Sequence, residues 1–376
     1  MADFIFAARS LRKNPGFTLV AIITLALGVG ANTAIFSVVK AVLLNQLPYL
    51  DPGRLVAIAA SDPDTPNPVT VDFATTHDWR ERSRSFETMS LYHQSSVAFA
   101  ETGQPELMNG LRVNFDYFDT LGAKMALGRA FLAEEDRSDR RFELILSHGL
   151  WVRRFGADPH VIGRVLRLNE SSFTVVGVLP QNFPTLIGGD NIQIFMPLGY
   201  DLGGPSSCRG CQHLRLIARM KPGVSASQAS AELNTIMQQL KQEHPASYSP
   251  NAGVRVTPLR EHLLGRVSTA LWILLASVGF VLLIACVNVA NLLLARASGR
   301  AREIALRVAL GAGRARIIRH LLAESLLLAI AGGAAGVALA ALATVAFTHL
   351  APREIPRIED IQIDKSVLLF SLAVSL

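Results

Sequence analysis

Residues 270 to 295 read ALWILLASVGFVLLIACVNVANLLLA, without one charged side chain from end to end. A helix rises about 1.5 Å per residue, so roughly 20 apolar residues cross a bilayer core about 30 Å thick. This run is long enough to do so. Beyond it, residues 296–319 carry 7 Lys and Arg against 1 Asp and Glu. Basic residues collect on the cytoplasmic side of membrane helices, which places this connection inside.

Working outward, two more runs have the length of a span: Phe17 to Val39 (FTLVAIITLALGVGANTAIFSVV) and Leu326 to Leu350 (LLLAIAGGAAGVALAALATVAFTHL). A fourth, Val367 to Leu376, is apolar to its last residue and reads as the truncated start of another span. Arg9, Arg12 and Lys13 precede the first run and put the N-terminus inside as well. A secretory signal is the rival reading of that run, disfavoured by its length and by the lack of an A-x-A-like site after it. In residues 1–14, Phe4, Ala7, Ala8 and Leu11 stand at helical spacing before Pro15 and Gly16. That segment is read either as an amphipathic helix on the inner surface or as a basic tail without defined structure.

Half of the 376 residues are apolar and 18% are charged, too few charges for a soluble chain of this size. The net charge of +6 does not point to nucleic acid, because it is not spread over a soluble face. Residues 45–267 hold 22 Lys and Arg against 23 Asp and Glu, and the excess lies in the flanks of the apolar runs.

Between Asn45 and Val267 short β-like runs alternate with turn residues and a few helical stretches, an α+β pattern. Strands are predicted at 54–60, 95–100, 107–113, 143–147, 165–168, 173–179, 192–196, 214–220 and 254–258. Helices are predicted at 71–82, 114–121, 149–155 and 225–244. Loops rich in Pro and Gly, at Pro63 to Pro68 and Gly188 to Gly210, raise the question of whether the segment forms two lobes.

Signals of chemistry are sparse. Cys208-Arg-Gly-Cys211 followed by His213 leaves three readings open: a local disulfide, two idle thiols, or half of a metal site that lacks its second ligand pair. The acidic run Glu134-Glu135-Asp136 reads as a turn or cap before a catalytic pair. The sequence contains no G-x-S-x-G, no H-E-x-x-H and no G-x-x-x-x-G-K-[ST]. No enzyme, cofactor or metal is therefore expected.

The most informative stretch is RASGRAREIALRVALGAGRARIIRHLLAE, residues 296–324. Arg302 to Leu310 is helix-compatible, with Glu303 four residues before Arg307 in the favoured order for a same-face ion pair, and Gly311 ends it. Read alone, it is a basic helix on the inner surface or a plain positive-inside loop. In the third run, Gly332 and Gly336 form a small-xxx-small surface that predicts close helix packing, with a filler role as the alternative.

R-E-I-A-L-R-x-A-L-G-A-x-R resembles the signature of MacB/FtsX-like ABC transporter permeases. Residues 8–49 and the stretch from Ile145 to Pro180, followed by I-F-M-P-L at 194–198, are similar to the same permeases, especially to the N-terminal half of their acidobacterial duplicated orphan type. The resemblance covers essentially the whole chain. It implies a multi-pass inner-membrane protein that carries a MacB-like extracytoplasmic domain. Arg302, Glu303, Ile304, Arg307, Leu310 and Gly311 would then be the element that couples to a cytosolic ABC ATPase. The expected organisation is an amphipathic N-terminus at 1–16, spans at 17–44, 268–295 and 321–350, an extracytoplasmic α+β domain at 45–267 and a coupling loop at 296–320. A short outer loop at 351–366 and the beginning of a fourth span at 367–376 complete it.

The function implied is efflux or export by mechanotransmission, in which a separate ATPase moves the outer domain. The alternative is a non-transporting regulatory permease that controls an extracytoplasmic partner such as a cell-wall hydrolase. Partners expected with it are membrane lipid, a second copy or a second permease half, and an extracytoplasmic adaptor or outer-membrane channel.

Overall fold

The computed structural model describes residues 7, 9, 11–61, 70–99, 106–181, 183, 192–299, 314–350 and 364–375. The chain divides into two compact units, one of residues 46–265 and one of residues 1–45 with 266–376.

The first unit is built on a ten-stranded mixed sheet in the order β10-β1-β9-β2-β3-β8-β5-β7-β4, with β6 pairing to β2 and β7. The strands are β1 (Leu55–Ser61), β2 (Phe86–Phe99), β3 (Glu106–Val113), β4 (Leu127–Gly128), β5 (Glu143–Leu146), β6 (Val165–Leu168), β7 (Ser171–Val178), β8 (Ile194–Pro197), β9 (Arg215–Met220) and β10 (Gly253–Pro258). Pairing is antiparallel except for β3 with β8 and β5 with β7.

β1 shows why its sequence is apolar throughout rather than alternating. Leu55 and Ala57 enter one core with Ile217 and Phe195, while Val56 and Ile58 enter another with Leu216 and Ala218. Both faces of the strand are covered, so both parities must be apolar. Two helices cover the second face, α2 (Phe73–Arg82) and α5 (Ala226–Glu243), through Trp79, Leu233, Ile236 and Leu240. Each begins on a side-chain cap: Asp72 accepts from Thr75 N at 2.7 Å, and Ser225 with Gln228 forms a capping box. A third core gathers Val97, Phe99, Leu144, Leu166 and Ile194 with α4 (His148–Phe155), whereas the short α3 (Tyr117–Leu121) supplies Tyr117 and Phe118 to the first.

The two lobes considered from the sequence share this one sheet. β2 passes through both, with Met89 and Leu91 in one core and Val97 and Phe99 in the other. The sequence reading began this strand at Ser95 and missed its first half. A register shift between Phe86 and Thr88 breaks the alternation there, and Ser90 is buried although polar.

Cys208 and Cys211 are disulfide-bonded. Between them Arg209 pairs with Asp78 at 2.6 Å and donates to Tyr248 Oη at 3.0 Å, and Gly210 N donates to Asp72 at 3.2 Å. The bridged loop is thus docked on α2. Among the described residues no group of His, Cys, Asp and Glu could hold a metal. The acidic run is a turn with capping duties: Glu135 accepts from Arg129 and from Leu132 N, both at 2.8 Å.

The second unit is helical. α1 (Pro15–Val39) opens on proline, whose missing N–H costs nothing in a first turn, and continues as a π-helical turn over Lys40–Leu44. α6 (Leu259–Gly299), α7 (Arg314–Leu350) and α8 (Lys365–Ser375) follow. Three stretches are long and apolar enough to cross a membrane: Pro15–Leu44, Val267–Ala295 and Leu322–Ala346. Along them Leu27, Trp272, Phe280 and Leu342 are exposed, as side chains facing lipid are.

Candidate functional site in the helix cluster

α1 touches α6, α7 and α8, and small or polar residues stand at many of these contacts. At Gly336 of α7 an added Cβ would lie 3.0 Å from Val29 Cβ and 3.1 Å from Ala26 O, and one at Gly30 would lie 2.9 Å from Gly336 O. An added Cβ at Gly332 would sit 2.6 Å from Leu25 Cβ, closer than real Cβ atoms come. The backbones of α1 and α7 therefore approach as closely as glycine allows. Gly28 plays the same part toward α6, where Leu282 Cδ1 stands 3.0 Å from the position of its missing Cβ.

Polar side chains buried in this cluster make hydrogen bonds between helices. Asn32, 3% exposed, donates from Nδ2 to Val278 O of α6 and to Gly28 O of its own helix, both at 3.0 Å. Thr33 Oγ1 and Ser371 Oγ of α8 lie 2.8 Å apart, Phe36 stacks on Phe370 with centroids 4.0 Å apart, and Lys40 pairs with Asp364. Glu324 of α7 is also buried. A buried amide in hydrocarbon must find its partners inside the protein, and these contacts fix the register of α1 against α6 and α8.

The structure therefore packs Gly332 and Gly336 of α7 against α1 of the same chain. Arg302, Glu303, Ile304, Arg307, Leu310 and Gly311 lie outside the described residues, which include α6 up to Gly299 and α7 from Arg314. The sequence reading passed over Asn32, Thr33 and Ser371. The signal that could have found them is a polar cluster inside an apolar run, A-N-T-A-I-F-S at 31–37.

The family profile described as MacB-like periplasmic core domain matches residues 18–236, and that described as FtsX-like permease C-terminal matches residues 275–376. The chain belongs to the MacB/FtsX-like ABC transporter permeases. Its helices are those of a multi-pass membrane protein with an inserted α+β domain. Among similar proteins, the macrolide export ATP-binding/permease protein MacB of Chromobacterium violaceum is 30% identical over 231 residues, 60% of this chain and 34% of that protein. The MacB of Hahella chejuensis is 23% identical over 328 residues, 81% of this chain and 47% of the relative. The permease thus spans between about a third and a half of the curated relatives it matches. The periplasmic region of MacB from Actinobacillus actinomycetemcomitans is 14% identical with a TM-score of 0.42, covering 62% of this chain and 97% of that one.

Proposed function

We propose that this permease exports its substrate by mechanotransmission: ATP binding and hydrolysis on a separate cytosolic ABC ATPase move the helices, and the helices move the outer domain. The observation that carries this reading is the position of the segment Arg302 to Leu310. It joins two membrane helices inside the stretch matched as the FtsX-like permease C-terminal region. The relatives' names pair ATP binding with permease, and these 376 residues contain no P-loop, so ATP is assigned to a region outside them, in this reading a separate ATPase. Export is favoured because similar proteins are named for the export of macrolides and of syringafactin. The same reading places the chain in the inner membrane, surrounded by lipid, beside a second copy or a second permease half. An adaptor or outer-membrane channel would take over the substrate outside.

In the coupling segment Arg302 and Arg307 donate to acidic groups on the ATPase, Glu303 orients Arg307, Ile304 and Leu310 supply the apolar contact, and Gly311 lets the chain turn into α7. The test is the double variant Arg302→Glu, Arg307→Glu in the reconstituted full chain. Insertion into the membrane stays intact and stimulation of the ATPase falls by at least tenfold, because reversed charges at a docking rim oppose association rather than folding. Stimulation equal to the parent's moves the coupling role to another segment.

A further inference from the structure

In the β2–β3 pair His93 stands directly opposite Arg112, so the two side chains share one face of the sheet. Arg112 also lies in register with Met196 of the parallel strand β8, after which the chain turns at Gly199, whose φ is +65°. Arg112 Nη1 donates to Pro197 O at 3.0 Å, and Arg141 Nη1 reaches Gly199 O at 3.5 Å. The stem of Arg141 lies flat on Gly199, where any Cβ would collide with it. Two guanidinium groups are thereby anchored on carbonyls of one short turn. Burial, and then the charge of Arg141, push the Arg112 guanidinium below its usual range.

Nearby carboxylates are already engaged. Asp136 accepts from Asn114 Nδ2, Phe115 N and Gly199 N at 2.8, 3.0 and 2.9 Å, and Asp201 accepts from Ser138. Among the described residues neither Arg112 nor Arg141 has an ion-pair partner. Beside them three rings form a triangle, with centroid separations of 6.3 Å for His93 and Tyr200, 5.8 Å for Tyr200 and His213, and 6.2 Å for His93 and His213. His213 Nδ1 is 2.6 Å from Cys211 O and must carry the proton, so Nε2 accepts from Tyr200 Oη at 3.0 Å. His93 Nδ1 likewise donates to Gln94 O at 2.9 Å, which leaves Nε2 buried without a partner. Burial first, and then the charge of Arg112, hold the His93 imidazole below its ordinary range.

We infer that Arg112, Arg141, His93 and the Tyr200–His213 pair form a binding site for an oxyanion, a carboxylate or a phosphate group. Such a group supplies the one thing this cluster lacks, negative charge with acceptor oxygens, and guanidinium groups are suited to it in geometry as well as charge. Its arrival makes protonation of His93 favourable. Nε2 takes a proton from solvent and donates it in a hydrogen bond to the bound oxygen. The site lies within the soluble unit and does not depend on how ATP is coupled.

The test uses the full chain in zwitterionic nanodiscs with isotope-labelled histidine, the His93 signal being assigned by its loss in His93→Gln. Sodium phosphate and, separately, sodium acetate are titrated at constant ionic strength. A saturable shift of the His93 signal and a rise of its titration midpoint by about one pH unit are expected, as for a neighbouring charge of opposite sign. Each of Arg112→Gln and Arg141→Gln weakens the apparent affinity by tenfold or more. Because Arg141 stands outside the strands, its variant keeps the test valid should Arg112→Gln fail to fold. A response to phosphate alone assigns a phosphate site, and a response to acetate, with or without phosphate, assigns a carboxylate site. No saturable shift with either anion, or shifts unchanged in both arginine variants, overturns the proposal.

Discussion

The largest fully buried side chains among the described residues, led by Trp79, Tyr117, Phe99, Phe118 and Phe195, all lie between residues 46 and 265. The interior of the helical unit has no buried aromatic ring among the described residues and mixes aliphatic Val29, Val39 and Leu328 with the small or polar Ala21, Ala26, Asn32, Thr33, Ser37 and Ala340, with glycines at its closest approaches. The two solvents account for the contrast. In water the removal of apolar area drives folding, at about 25 cal/mol per Å², and large side chains contribute most. In lipid a leucine gains little by moving from a hydrocarbon tail to another helix, so close backbone packing and internal hydrogen bonds must hold the helices together.

The contrast can be broken most forcefully at Phe195, which lies between Tyr117, Phe118 and Phe183. Phe195→Ala removes an aromatic ring from a core that cannot collapse fully and should cost the soluble unit about 3–5 kcal/mol in denaturant unfolding. Interhelix contacts such as Phe36 on Phe370, followed by crosslinking, should survive it. Joint loss of both would show that the two units fold as one.

A smaller effect is expected from Gly336→Leu, about 1–3 kcal/mol as in other overpacked sites, read as a lower SDS midpoint for the helical unit. Denaturant unfolding of the soluble unit should not change. An SDS midpoint equal to the parent's would mean that Gly336 only fills space, the alternative already weighed from its sequence context. Asn32→Leu sharpens the comparison further, since it exchanges a hydrogen bond to Val278 O for apolar bulk. Buried polar contacts between membrane helices are worth roughly 0.6 kcal/mol and at most about 1.7. A shift within that range in the same SDS assay is the expected result, and a gain in stability would rule out Asn32 as an interhelix tie.

These differences also explain what could be read from the sequence. Spans announce themselves through uninterrupted apolar length, and α5 through its Ser225 cap followed by Ala229, Leu233, Ile236 and Leu240 at helical spacing. The first half of β2 stayed hidden because a register shift and the buried, polar Ser90 erase its period. Strand order was out of reach altogether, for the parallel pairing of β3 with β8 joins residues more than eighty positions apart. Gly332 and Gly336 could be marked as a contact surface, yet nothing in their own run says that Leu25, Val29 and Gly30 lie against them. The pairing of Arg112 with Arg141 left no local trace, since it arises where β3, β8 and the loop before β5 meet.

The central claim is that the connection between α6 and α7 docks on a separate ATPase. It is tested most directly by placing a photo-crosslinking residue at Ile304 of the full chain in its native membrane and identifying the adduct by mass spectrometry. An ABC-type ATPase captured at Ile304, and lost when Arg302 and Arg307 are both reversed to Glu, is the result predicted. No ATPase adduct from Ile304 or Leu310, with a cell-wall hydrolase or a sensor kinase copurifying with the parent chain instead, would contradict it.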